Sequence, residues 1–184
     1  QVLGAAFLLL ADLAWLGERP VPFLTPWWSA VLVRTIVVLR LELPKLSAHW
    51  QAAQAAFGLA VAAYIGAMMM MVVDEGLGMR LSGVGMIALT VWLLRYDIAL
   101  MTIRRSGLPQ FLAACLISGY VWLGVGGAVV LSNEPVFAGF SYDAYLHAVL
   151  LGFVFSMVFG HAPIIFPAVM ERPIGFTPFA YVPL

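Results

Sequence analysis

The chain has 184 residues, of which 64% are hydrophobic and 10% charged, with zero net charge and a mean hydropathy of +1.02. A soluble domain charges roughly a quarter of its residues, so a water-facing exterior is excluded and one facing the lipid bilayer is required. Zero net charge also excludes the basic field that recruits nucleic acid. Backbone groups in lipid must pair within the protein, which leaves helices or a closed barrel. The apolar runs here are long and continuous, and they reject the alternation of a barrel. The expected fold is all-α, a polytopic transmembrane helix bundle of about six helices. It forms a single domain over 1–184. The chain opens apolar at Gln1-Val2-Leu3, with no Met and no basic leader, and stops after an aromatic-rich start at 176–181. It is therefore expected to be incomplete at both ends, a part of a larger bundle.

In chain order the expected segments cover about 1–16, 27–41, 51–73, 81–99, 111–131 and 144–170. A bilayer core needs about 20 apolar residues, which the last four segments supply. The segment at 27–41 is short and holds Arg34 and Arg40, which leaves it between a full span and an interfacial or re-entrant piece. Punctuation comes from Pro20, Pro22 and Pro26, from Pro44, from Asp74-Glu75-Gly76 and from Gly107-Leu108-Pro109. The stretch at 132–142 is the longest connection. One side of the bundle collects Arg40, Lys45, Arg104, Arg105 and Arg172, and the other only Arg19 and Arg80. The positive-inside rule then makes the Arg104 side cytoplasmic and the Glu134 connection external.

Chemistry concentrates in the last segment. His147 and His161 are 14 residues apart, which on a regular helix returns them to nearly one face, about 21 Å apart along the axis. That is the arrangement by which one helix ligates two stacked haems, and a neutral imidazole is a good axial ligand. The remaining histidine, His49, stands at the cytoplasmic start of the third segment, within reach of His161 but not of His147. The competing reading is two separate polar residues, His147 at the outer interface beside Asp143 and His161 bonded to the Phe159 carbonyl that Pro163 frees. Proton transfer is a third use for an ionisable group at this depth. Pro163 and Pro167 are expected to break or kink the end of the helix.

Asp12 and Arg34 are the other buried charges, expected to form an ion pair, with a substrate anion on Arg34 as the sharper alternative. Arg95 and Asp97, followed by Arg104-Arg105, read as topology anchors. In Met68 to Met71 only the first and last share a face, so flexible packing outweighs a Cu(I) site there. Cys115 reads as a small buried hydrophobe. Nucleotide loops and hydrolase motifs are missing from the sequence.

Three stretches carry a family resemblance. They are Trp92 to Ala99 continued by Thr102 to Pro109, Ser118 to Leu123, and His147 to Pro167 with its Gly160-His161-Ala162-Pro163. The chain resembles a group of uncharacterised bacterial polytopic membrane proteins and, more distantly, NnrS-like haem and copper membrane proteins. The distant likeness rests on histidines in Gly-rich apolar helices, without the adjacent His-His pair of an oxidase copper site. What it implies is a multi-pass protein of the bacterial inner (cytoplasmic) membrane. Haem or copper at His147, His161 and His49 would serve respiratory or nitrogen-oxide metabolism, with other membrane subunits as partners. A permease lined by Asp12, Arg34 and His161, and an assembly subunit without a site, are the alternatives.

Overall fold

The computed structural model describes residues 50–134 and 137–171, together with positions 9, 13, 16 and 17. The helices are α1 (Trp50–Met70), α2 (Glu75–Tyr96), the short α3 (Ala99–Thr102), α4 (Leu108–Ser132), α5 (Phe140–Leu146) and α6 (Phe155–Met170). A π-helical stretch, His147–Val154, joins α5 to α6 without interruption. No strand occurs among the described residues. Four stretches, Gln51–Met70, Glu75–Tyr96, Leu108–Ser132 and Phe140–Met170, are long and apolar enough to cross a bilayer. That marks a helical membrane protein. The segments expected at 1–16 and 27–41 fall almost wholly outside the described residues; Leu9, Leu13 and Leu16 are helical and exposed.

Several boundaries differ from the hydropathy reading, each for a local reason. α2 starts at Glu75 because Asp74 is its N-cap, with Oδ1 accepting from the Leu77 N–H at 2.8 Å. α4 starts at Leu108 after Gly107 at φ +74°, with Pro109 in the first turn, where its missing N–H costs nothing. The break expected at Pro163 and Pro167 is absent, since both prolines sit inside α6, which runs to Met170. Each proline forfeits one helical hydrogen bond, whereas opening the backbone in an apolar medium would expose several polar groups at once.

The helices pack in chain order: α1 against α2, α2 against α4, and α4 against α5, the π stretch and α6, with α3 tucked against α4. One end of the bundle holds the turn after α1 and the connection after α4, where Arg80 Nη2 lies 3.9 Å from Glu134 Oε2. Both side chains are largely exposed there, so the pair adds little stability. The other end holds 97–107, with Arg104 and Arg105 exposed.

The core is a seam of large buried side chains, Tyr64, Met68, Met86, Leu89, Leu93, Tyr120, Leu123 and Phe153. α2 and α4 come together backbone to backbone at Gly83 and Gly127. A Cβ at Gly127 would lie 2.8 Å from the Gly83 carbonyl oxygen, and one at Gly83 would lie 3.0 Å from that of Gly127. Small residues permit this approach, and dispersion across it holds helices together where lipid gives no hydrophobic drive. α1 is fastened to α2 by Trp92, whose Nε1 donates to the Ala53 carbonyl at 2.8 Å and whose ring meets Phe57 at 4.7 Å. Met68 and Met71 turn into this core with Met79 and Met86, while Met69 is exposed, the alternation expected of packing side chains.

The orientation is open to a direct measurement. Cys115 is fully buried and should be silent towards thiol reagents. A cysteine at the exposed Ser106 should then resist a membrane-impermeant maleimide in intact cells, and one at the exposed Asn133 should react. The opposite labelling pattern would reverse the topology.

Candidate histidine site and a buried carboxylate

His161 is half-buried on α6, and its Nδ1 lies 2.7 Å from the Met157 carbonyl oxygen. The acceptor is the carbonyl one turn back, not the Phe159 carbonyl that the sequence suggested. His147 repeats the arrangement in an exposed position, with Nδ1 2.7 Å from the Asp143 carbonyl oxygen. A carbonyl only accepts, so Nδ1 carries the proton in each neutral ring and Nε2 is the basic nitrogen. The residue before His161, Gly160, lies against α4, where a Cβ on it would be 3.1 Å from the Cβ of Cys115. The fold thus brings the segment of His161 and that of Cys115 to one helix contact.

The expectation of a shared histidine face assumed uniform α geometry, and eight residues of the interval, His147–Val154, are π-helical. A π-helix closes i→i+5 hydrogen bonds and turns less per residue, so neither the common face nor the 21 Å spacing carries over. The inner face is marked by the buried residues Ala148, Val149, Phe153, Ser156, Met157 and Gly160. His147, next to this stripe in the π stretch, is exposed, and His161, one residue past the buried Gly160, is half-buried. No group of three or more His, Cys, Asp or Glu able to hold a metal ion occurs among the described residues. His49, Asp12 and Arg34 lie outside the described residues.

A family model described as a domain of unknown function, DUF8744, matches residues 1–184. The chain belongs to that family. No curated protein and no solved structure matches it.

Within this DUF8744 fold, a second polar feature joins Asp97, read from the sequence as a topology anchor, to Tyr120. Asp97 ends α2 in an extended conformation and is only 6% exposed. Its Oδ1 accepts from the Ala99 N–H at 2.6 Å, tying down the first turn of α3. Its Oδ2 accepts from the hydroxyl of Tyr120, a fully buried residue of α4, at 2.8 Å. Side chains on a helix tilt towards its N-terminus, which is how Tyr120, twelve residues into α4, reaches back to this end. The Tyr120 carbonyl in turn accepts from Thr90 Oγ1 of α2 at 3.3 Å. Burial raises the carboxyl pKa above its ordinary value, and the Ala99 and Tyr120 hydrogen bonds pull the other way. Asp97 has no ion-pair partner among the described residues, and Arg95 beside it lies over the Tyr96 ring at 5.6 Å. Two clues were available: an Asp directly after a helix end caps the next turn of backbone, and a mid-helix tyrosine in an apolar run needs an acceptor.

Proposed function

We propose that this DUF8744 chain is an integral membrane protein that holds haem or a transition metal through His161, a histidine set in a Gly-containing apolar helix. The observation that carries the reading is the 2.7 Å contact of Nδ1 with the Met157 carbonyl. Ligating histidines almost always donate the other ring N–H to a carbonyl or carboxylate, which fixes the ring and raises the basicity of the ligating nitrogen. Half-burial beside the α4 contact adds an apolar surrounding, the setting in which a haem edge is sheltered from water. His161 would be one residue holding the group, with His49 or a neighbouring membrane subunit as the source of another ligand. Haem bound there would supply one-electron exchange. The bacterial inner membrane and nitrogen-oxide or respiratory metabolism are the setting this reading implies.

The test is a visible spectrum and elemental analysis of the protein purified in detergent from haem- and copper-replete cells. A Soret band or near-stoichiometric metal is expected. His161→Ala should lose it while still inserting, and His147→Ala should keep it. Preparations with neither chromophore nor metal would end this reading. They would leave the transporter alternative, which the buried Asp97 favours, since an ionisable group at a membrane boundary is a common element of ion pathways.

A further inference from the structure

We propose that Asp97 is a proton-binding site at the arginine-bearing end of the bundle, with Tyr120 as its positioning residue. This is independent of any haem. A carboxylate removed from water is costly unless a cation or a full set of donors compensates it. Asp97 is 6% exposed, has two donors and pairs with no cation among the described residues. Taking up a proton is the direct way to relieve that cost. The direction of its pKa shift agrees.

The groups around it can be named element by element. Tyr120 approaches from α4 and the Ala99 N–H from α3. On α2, Arg95 and Tyr96 precede it and are exposed, and Arg104 and Arg105 after α3 are exposed as well. The described part of α1 at this end offers Gln51 and Gln54, neither of them titratable, and the same half of α6 carries His161 and Glu171. The proton comes from water at that surface. Because the Ala99 N–H keeps Oδ1 as an acceptor, the new O–H bond forms on Oδ2. The Tyr120 O–H, which donates to the ionised carboxylate, then turns away from Oδ2, and the tyrosine oxygen accepts from the new carboxyl O–H. That reversal makes Tyr120 the group that sets how readily Asp97 takes its proton. It also couples the proton to the contact between α4 and the corner formed by α2 and α3.

Infrared difference spectroscopy of the whole chain in detergent, titrated with pH, tests this. The other described carboxyl groups, Asp74, Glu75, Glu134, Asp143 and Glu171, are exposed, and every background carboxyl cancels between variants. The wild type should show a carboxylic-acid carbonyl band with a midpoint above the ordinary carboxylate range, and Asp97→Asn should lack it. Tyr120→Phe should keep the band and move its midpoint upward, because it removes a donor that favours the ionised form. Superposable spectra of wild type and Asp97→Asn, or a midpoint at or below the ordinary value, would overturn the proton site. If Asp97→Asn fails to insert, Asp97→Glu takes its place and should displace the band. An unmoved midpoint in Tyr120→Phe would overturn the role of the tyrosine.

Discussion

Valine at Gly127 should collapse the cooperative unfolding of the bundle, while alanine at Gly66 should leave it intact. The Cβ at position 127 would meet the Gly83 carbonyl oxygen at 2.8 Å, Ile87 Cγ1 at 2.9 Å and Met86 Cβ at 3.2 Å. The first is backbone of a packed helix and cannot swing aside. Relief requires α2 and α4 to separate, which loosens the reciprocal contact at Gly83 and the dispersion along the seam. Overpacking typically costs about 1–3 kcal/mol, and a fixed backbone neighbour together with a branched side chain puts this substitution at or above the top of that range. At Gly66 nothing lies within 4 Å, and alanine there removes a helix penalty of about 1 kcal/mol. Helix content followed through a denaturant titration in detergent measures both. Equal midpoints for Gly127→Val and wild type would mean that α2 and α4 do not touch along these glycines.

The part of this architecture that could be read in advance is the part governed by hydropathy. Four apolar runs became four helical stretches because lipid leaves the backbone no other partner. The cap at Asp74 was legible as a turn residue but not as the first residue of a helix unit, because the polar Glu75 and the Gly76 after it disguise the first turn. The π stretch was not legible at all. Its sequence, His147 to Val154, is as apolar as any helix, and its hydrogen-bond register is chosen by packing. Gly126 of α4 lies against Val149 and Gly119 against Ser156 and Met157. No periodicity announces that choice, and the histidine geometry built on 100° per residue went with it. Asp97 and Tyr120 stand 23 residues apart on different helices. Each was visible singly, the acid among topology anchors and the tyrosine within an apolar run. Only the antiparallel return of α4 past α2 brings them into contact.

Asp97→Ala should be among the most destabilising single changes in the described bundle, and Asp97→Asn among the mildest at that site. Alanine leaves the buried Tyr120 hydroxyl without its acceptor, a penalty of about 1–3 kcal/mol. It also removes the side chain that holds the Ala99 N–H at the start of α3, worth about 1 kcal/mol in a comparable cap. Asparagine keeps an oxygen for the Ala99 N–H and can donate its own N–H to the Tyr120 oxygen, but the tyrosine O–H gives up its acceptor, so this change is milder than alanine without being neutral. The comparison should depend on pH with a definite sign. The folded-state pKa of Asp97 is raised above its ordinary value, mainly by burial, so the folded protein holds this proton more tightly than the unfolded chain. Below the ordinary carboxylate value both states are protonated and the favourable contribution is complete. It declines as pH climbs from there through the folded-state pKa, and it is flat above. Relative to Asp97→Asn, the wild type should therefore lose thermal stability with rising pH across that window. Melting curves of the two proteins in one detergent over a pH series decide it. A difference that widens in favour of the wild type as pH rises would mean that Asp97 is stabilised as the anion, with its proton held more weakly in the fold than outside it.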